Sequence, residues 1–181
     1  MQTPAATLIA QSLATPLGEM CLVRSAGAVV ALSFDGCGPH VRRYLERRFP
    51  PGALTFDEGD SEPARRISAY FAGDLAAIDS IQTDPRGTAF QQQVWALLRA
   101  IPAGEVVSYS TLAERLGNPQ ATRAVGAANG QNPIAIIHPC HRVIGASLQL
   151  TGYAGGLHRK RWLLDHERAH SRLSPSGPLF A

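Results

Sequence analysis

One cysteine in the chain is set between a proline and a histidine. The apolar run 134–137 leads directly into the segment 138–143, His-Pro-Cys-His-Arg-Val. The thiolate is the nucleophilic form of cysteine, and an imidazole within reach can take the thiol proton, leaving a thiolate–imidazolium pair at neutral pH. We therefore interpret Cys140 as a candidate nucleophile and His141 as its candidate base.

Adjacency in sequence does not by itself bring these two side chains together. If the segment is an extended strand, consecutive side chains point to opposite faces. The predicted helix 157–168 contains Glu167 near its end, and this carboxylate could orient His141 as the third member of a relay. Spacing alone also allows an ordinary interpretation, with a buried cysteine, a surface histidine and a solvated glutamate.

The composition is typical of a globular domain. The 181 residues are 45% hydrophobic and 17% charged, which suits one large domain or two small ones. The segment from Met1 to Pro16 has no Lys or Arg and no long apolar stretch, so we expect neither a secretory signal nor a membrane span. Cytoplasm is the expected compartment.

The three cysteines show no pairing pattern. Cys21, Cys37 and Cys140 are far apart, and an odd count in a reducing compartment argues against a disulfide framework. No cysteine and histidine cluster has the spacing of zinc ligands. We expect at least one thiol to be available for chemistry and no structural zinc.

Charge is unevenly distributed along the chain. Residues 1–84 hold seven Arg and ten acidic residues, a net charge of −3, whereas residues 85–181 hold nine Arg, one Lys and four acidic residues, a net charge of +6. The basic half is the candidate nucleic-acid face. A solubility bias without any partner explains the charge equally well.

The first half is predicted to form a small sheet with two helices. Short apolar runs at 7–15, 19–24 and 28–34, split by tight turns, predict an antiparallel meander. An amphipathic helix is predicted over 39–49, and residues 50–61 are predicted to be a loop. Ser61 then caps a helix that ends at Gly73. We place a domain boundary between residues 84 and 85.

The second half is predicted to be helical. Thr88 and Gln91 have the spacing of a capping box, and a helix with apolar residues at 4-3-4 spacing follows. Predicted helices at 110–116 and 120–129, across the turn 117–119, resemble a helix-turn-helix. The second of these helices is mostly Ala, Gly and Val, with Arg123 in a background of small residues, which suits either close approach to a partner or simple helix packing.

From Thr88 to about Glu167 the chain resembles the O6-alkylguanine-DNA alkyltransferases. The resemblance covers an ordered set of motifs: Gly104-Glu105-Val106-Val107-Ser108-Tyr109, Arg123-Ala124-Val125-Gly126, Asn132-Pro133, the Pro-Cys-His-Arg-Val core, Leu150 to Gly156 and Trp162-Leu163-Leu164. It implies an α/β (α+β) fold with an RNase H-like N-terminal domain over 1–84, a winged helix-turn-helix-like domain over 85–170 and a flexible tail over 171–181.

The resemblance also implies roles for the residues of the reactive segment. Cys140 matches the cysteine that accepts the alkyl group, His141 the base that acts through a water, and Glu167 the carboxylate behind it. Asn132 matches an asparagine that ties the recognition helix to the active-site loop. Tyr109 matches a tyrosine that turns the target phosphate and donates to guanine N3.

The remaining implied roles concern DNA and the damaged base. Arg123 matches an arginine that replaces the extruded nucleotide, and the small residues Ala124 and Gly126 belong to a helix that enters the minor groove. Backbone groups of Cys140 and Val143 would receive the guanine amine. The N–H of Ala154 would face O6, and Tyr153 would form a wall of the pocket.

The implied activity is DNA repair by a monomer that acts once. It moves an alkyl group from O6-alkylguanine, with O4-alkylthymine as a second candidate, to Cys140 in double-stranded DNA and needs no cofactor. Three alternatives stay open: a lesion binder without catalysis, a transcription factor and a cysteine hydrolase.

Two positions depart from the family pattern. His138 stands where an aliphatic residue is usual, with a surface role or a tuning role both open. The segment Ser147-Leu148-Gln149 replaces a tighter turn beside the pocket.

Overall fold

A four-stranded mixed sheet forms the framework of the N-terminal half. The computed structural model describes residues 7–34, 36–50, 54–147 and 149–171. Strands β1 (Leu8–Thr15), β2 (Gly18–Ser25) and β3 (Ala28–Ser33) form the predicted antiparallel meander, which is confirmed. Strand β4 (Leu54–Phe56) pairs parallel with β1 and completes the order β3-β2-β1-β4.

Strand β4 corrects the prediction of a loop over residues 50–61. Its three residues are too few to show an alternating pattern, and two of them are exposed. Pairing of Leu54 with Leu8 creates the strand. Such a strand depends on a partner more than 40 residues away in sequence, so local composition cannot reveal it.

Both faces of this sheet are buried. Along β2, Met20 and Leu22 pack into one apolar cluster, whereas Cys21 and Val23 pack into another. The alternation follows from the two-residue period of a strand. Helix α1 (Pro39–Arg48) covers the second face, and helix α2 (Glu62–Phe71), followed by a 3₁₀ turn over Leu75–Ile78, covers the first. Both helices and the Ser61 cap of α2 confirm the predictions, and α2 ends at Phe71 just before Gly73.

The argument against a disulfide is wrong for two of the three cysteines. Cys21 and Cys37 form a disulfide with a Cα–Cα distance of 5.3 Å, and Cys140 is the free cysteine. Cys21 in β2 pairs with Ser33 of β3. The segment that follows β3 contains Cys37 and therefore lies close to Cys21. Pairing of β2 with β3 brings the two thiols together, and counting the cysteines in the sequence cannot reveal this pairing.

The C-terminal half is mostly helical, as predicted. Its elements are α3 (Ala89–Arg99), β5 (Val107–Ser108), α4 (Tyr109–Arg115), a 3₁₀ turn Pro119–Ala121, α5 (Thr122–Gly130), a 3₁₀ turn Cys140–Arg142, β6 (Val143–Ile144) and α6 (Leu157–His170). Helix α5 begins at Thr122 rather than Gln120, because Pro119 starts a 3₁₀ turn first. Helices α3, α4 and α5 share one core, where the Trp95 indole N–H donates to the Ala128 carbonyl at 2.9 Å.

The two halves are joined along β3. Leu32 N donates to Pro133 O and Leu32 O accepts from Ala135 N, both at 2.9 Å, so the loop that precedes Cys140 runs beside the sheet edge. The α/β fold class, a small sheet with helices, is confirmed. The domain boundary at residues 84 and 85 stays a prediction.

The described residues contain neither a candidate membrane span nor a cluster of potential metal ligands. No helix there combines the length and apolar character needed to cross a membrane. Within the same residues, no group of three or more His, Cys, Asp or Glu is placed to hold a metal ion.

The predicted capping box at the start of α3 is present and generates a test. The Thr88 hydroxyl accepts from Gln91 N at 3.2 Å, and Gln91 Oε1 accepts from Thr88 N at 2.9 Å. We expect Thr88→Ala to lower the free energy of unfolding by about 1 kcal/mol, because a helix N–H loses its acceptor. Urea denaturation measures this, with Thr88→Ser as the control that keeps the hydroxyl; equal losses in both variants would contradict the capping role.

Candidate active site

Cys140 lies in a 3₁₀ turn and lines a cavity of about 630 Å³. The side chain is 7% exposed, and Cys140 N donates to His138 O at 2.7 Å. The turn corrects the possibility of an extended strand raised for this segment. Residues from both halves of the chain line the cavity, among them Phe34, Tyr44, Tyr109, Asn129, Asn132, Tyr153 and Ala154.

The loop that leads to Cys140 has a constrained backbone. Ile136 has a φ of 68°, in the left-handed region that β-branched residues rarely adopt. Two short backbone bonds hold it there, from Ile137 N to Ala135 O at 2.8 Å and from His138 N to Ile134 O at 3.0 Å. A conformation of this kind costs on the order of 1–3 kcal/mol and persists only where the surroundings enforce it.

His141 and Glu167 are in direct contact, and both are fully buried. Nε2 of His141 lies 2.8 Å from Oε1 of Glu167, at the centre of the protein rather than at its surface. The ionised carboxylate can only accept, so Nε2 carries the hydrogen and Nδ1 is the free acceptor nitrogen. The structure thus places together the two groups that the sequence could only suggest as partners.

The Glu167 carboxylate receives hydrogen bonds from four residues. Its Oε1 accepts from Tyr70 Oη at 2.7 Å, His141 Nε2 at 2.8 Å and Arg142 Nη2 at 2.7 Å. Its Oε2 accepts from Arg142 Nε at 2.9 Å and Gly104 N at 3.1 Å. Burial alone would raise the pKa of Glu167, but His141 and Arg142 hold that pKa far below its usual range.

The thiol and the imidazole are both neutral at rest. Burial raises the pKa of Cys140, and the nearby Asn132 side chain and Lys160 charge only partly oppose this. Burial also lowers the pKa of His141, against the attraction of Glu167. Both directions favour the neutral thiol and imidazole over a thiolate–imidazolium pair in the free protein, because separating two charges in a buried site is costly.

Two asparagines hold the active-site loop. Asn132, just after α5, donates from Nδ2 to His138 O at 2.8 Å and accepts at Oδ1 from Ile134 N at 3.1 Å. Asn129, which the sequence analysis missed, donates to Cys140 O at 3.5 Å. Asn129 is buried on the inner face of α5 between apolar residues, and a polar residue at such a position was the available signal.

Lys160 is a second residue that the sequence analysis missed. It is fully buried, and its Nζ donates to Val143 O at 2.6 Å and to Thr151 O at 2.8 Å. Burial lowers the pKa of Lys160 to about 8, while Cys140 opposes the shift. Lys160 lies three and four residues before the buried Leu163 and Leu164, so the helical period of α6 already indicated an inward position.

Tyr109 and Tyr153 border the cavity from different segments. Tyr109 begins α4 and lines the cavity, and burial raises the pKa of its hydroxyl. The Tyr153 ring meets Phe34 of the N-terminal half edge to face, with centroids 6.2 Å apart. A Cβ at Gly155 would lie 2.8 Å from both rings, so only glycine fits there.

The outer face of α5 is smooth apart from one cation. Its exposed residues are Arg123, Ala124, Ala127 and Gly130, while Val125, Ala128 and Asn129 point into the core and Gly126 is half-buried at the cavity. Helical spacing therefore puts the small residues on one side and Arg123 at the beginning of that side.

His138 is buried, which excludes the surface role left open for it. The residue is 2% exposed, and its Nε2 lies 3.1 Å from Thr83 Oγ1. Burial and the charge of Arg99 lower the pKa of His138 to about 3. Beside the pocket, Gly145 N donates to Gln149 O at 3.1 Å. Gln149 belongs to the segment 147–149 that differs from the family pattern, and Leu148 of this segment lies outside the described residues.

Residues 89–169 match the family model described as 6-O-methylguanine DNA methyltransferase, DNA binding domain. The chain is 61% identical over 166 residues to a methylated-DNA–protein-cysteine methyltransferase of Salmonella typhimurium, covering 88% of this chain and 95% of the relative. The crystal structure of Mycobacterium tuberculosis O6-methylguanine methyltransferase is similar with a TM-score of 0.77 and 40% identity, covering 94% and 97% of the two chains. M. tuberculosis OGT in complex with DNA is similar with a TM-score of 0.76 and 42% identity, covering 90% and 94%.

His138 makes the folded protein sensitive to acid. The pKa of His138 in the folded protein, about 3, lies below its ordinary value. At a pH between these two pKa values, His138 is protonated in the unfolded chain and neutral in the folded chain. Stability is therefore lost as the pH falls from about 6.5 towards 3, by up to about 1.4 kcal/mol per pH unit. We expect His138→Val to reduce the slope of unfolding free energy against pH between 6 and 4, measured by urea denaturation at each pH. An unchanged slope would show that His138 does not titrate this way.

Proposed function

The chain belongs to the 6-O-methylguanine DNA methyltransferase family, and we propose that Cys140 removes the alkyl group from O6 of a damaged guanine in DNA and retains it. The observation that carries this proposal is the free thiol of Cys140 lining a cavity, together with the buried His141–Glu167 pair. The cavity volume suits one extruded nucleotide base. Repair by direct alkyl transfer follows.

The chemical step begins with loss of the Cys140 proton. Nδ1 of His141 is the acceptor nitrogen and has no hydrogen-bond partner among the described residues, so it can take the thiol proton through a water. Glu167 then stabilises the imidazolium, because its carboxylate lies 2.8 Å from the opposite nitrogen.

The sulfur then attacks the alkyl carbon in line with the bond to O6. A carbon–sulfur bond forms, the carbon–oxygen bond breaks, and its electron pair goes to the guanine oxygen. Guanine regains one proton, which balances the one that the thiol lost. Tyr109, which lines the cavity, would donate towards N3 of the base and make it a better leaving group.

The product fixes the stoichiometry at one alkyl group per protein molecule. A thioether has no easy route back to a thiol, and the other two cysteines of the chain are paired with each other. No cofactor enters this scheme. The protein is consumed as it repairs.

The neutral resting state of Cys140 and His141 supports activation of the thiol by bound substrate. Because burial keeps Cys140 as a thiol and His141 neutral, the nucleophile would appear only when a base fills the cavity and proton transfer accompanies attack. Lys160 favours this change, since its positive charge stabilises the thiolate. A thiol is also less reactive than a thiolate towards oxidants.

Helix α5 is proposed to enter the minor groove of double-stranded DNA. Its small outer residues Ala124 and Ala127 allow close approach, and Arg123 can fill the space that the flipped nucleotide leaves. Within the cavity, Tyr153 would wall the base, the N–H of Ala154 would face O6, and the backbone of Cys140 and Val143 would receive the amine. A monomer suffices for these contacts, and O4-alkylthymine is the second substrate we propose.

The central test follows label from DNA to protein. Incubation with excess duplex that carries labelled O6-methylguanine should give a plateau near one equivalent of label per protein. Cys140→Ala should abolish transfer and keep DNA binding, because it removes only the sulfur. Binding is measured by fluorescence anisotropy. Continued turnover would instead indicate a hydrolase, and label retained on the Ala variant would exclude Cys140 as the acceptor.

The role of Arg123 predicts a substrate-dependent loss. We expect Arg123→Ala to slow transfer from duplex by about tenfold or more but to change the rate with free O6-alkylguanine base much less, since the free base needs no flipping. Single-turnover rates on the two substrates measure this. Arg65→Ala, which removes an exposed cation from α2, is the matched control. Equal losses on both substrates would contradict the flipping role.

A further inference from the structure

A tyrosine of the N-terminal half reaches the centre of the active-site relay. Tyr70, in α2, donates its hydroxyl to Glu167 Oε1 at 2.7 Å, across 97 residues of sequence. The side chain is fully buried and no part of it lines the cavity. Its hydroxyl therefore acts on the carboxylate rather than on any substrate.

Tyr70 and His141 bind the same oxygen atom. Oε1 accepts from both and from Arg142 Nη2, whereas Oε2 accepts from Arg142 Nε and Gly104 N. Each additional donor on an oxygen disperses its negative charge and leaves less for the others. The Tyr70 hydroxyl consequently weakens the hold of Glu167 on a proton at His141.

Tyr70 is held in this position from both ends of the residue. Its carbonyl oxygen lies 2.8 Å from His166 Nε2, one residue before Glu167 in α6. Its ring meets Phe71 and His166 edge to face, with centroids 5.5 and 5.4 Å away. These contacts join α2 to α6 at the turn that carries the carboxylate.

We propose that Tyr70 is a positioning residue for alkyl transfer, through which the N-terminal half sets the orientation and charge distribution of the Glu167–His141 pair. The inference rests on the proposed function, because it assigns a role in that reaction. It also gives the N-terminal half a part in the chemistry beyond lining the cavity.

The test is the pH dependence of single-turnover transfer in Tyr70→Phe. The variant keeps the ring packing and removes one donor from Oε1, so His141 should gain proton affinity. We expect the acidic limb of the rate profile to move up by about one pH unit. Rates on that limb should be about tenfold lower, and the alkaline plateau should be unchanged. Saturating O6-methylguanine duplex removes any effect on binding.

Other charged groups around the pair stay constant in this comparison. Arg142 contacts both carboxylate oxygens, Lys160 acts on His141 and Cys140, and His166 contacts the Tyr70 carbonyl. Direct titration of the His141 imidazole by NMR should show the same upward shift of its pKa in Tyr70→Phe. This second measurement does not depend on catalysis.

Phe71→Leu separates a relay role from simple packing. It alters a ring neighbour of Tyr70 without touching Glu167, so it should lower the melting temperature and leave the acidic limb in place. If Tyr70→Phe loses stability and keeps the parent limb and His141 titration, the positioning role is overturned while the proposed function stands. If the unaltered protein transfers no label, the proposed function fails, and the role of Tyr70 in it fails too.

Discussion

The buried charge of Glu167 constrains how distant segments of the chain are arranged around it. An ionised carboxylate can be removed from water only if its oxygens are fully hydrogen-bonded and opposed by positive charge. Here the donors come from α2, from the turn after α3 and from the 3₁₀ turn that begins at Cys140. Satisfying one side chain thus brings three distant segments to α6, and His141 takes its orientation from that assembly.

The cavity is formed in a similar way, by parts that are separate in sequence. The loop before Cys140 lies along the edge of β3, where both the N–H and the carbonyl of Leu32 hydrogen-bond to it. This contact and the side chain of Asn132 restrain the loop, including the left-handed backbone at Ile136. A nucleophile on a restrained loop can be held close to the geometry of attack, which reduces the entropy lost in reaching the transition state.

The electrostatics of the site favour a Cys140 thiol that is unreactive at rest and becomes reactive when it loses its proton. Desolvation keeps both Cys140 and His141 neutral, while Glu167 and Lys160 are arranged to stabilise the charges that proton transfer would create. Charged partners that are already in place need no rearrangement as the reaction proceeds. If each molecule acts once, as proposed, this arrangement keeps the thiol from being spent before a damaged base is bound.

The sequence by itself determined the local features and the family. The capping box at Thr88 and the amphipathic faces of α1 and α3 depend on residues close together in sequence, and the ordered motifs around Cys140 can be read directly along the chain. The fold class followed from the resemblance that those motifs support.

Only the tertiary structure decided the pairing of elements and the charge states. The strand β4, the Cys21–Cys37 disulfide and the contact of Tyr70 with Glu167 join residues that are between 16 and 97 positions apart. The neutral state of Cys140 and the burial of His138 also require knowledge of what surrounds them, because desolvation depends on every neighbour in space. Sequence carries the identity of a titrating group, whereas its environment, assembled from the whole chain, sets its proton affinity.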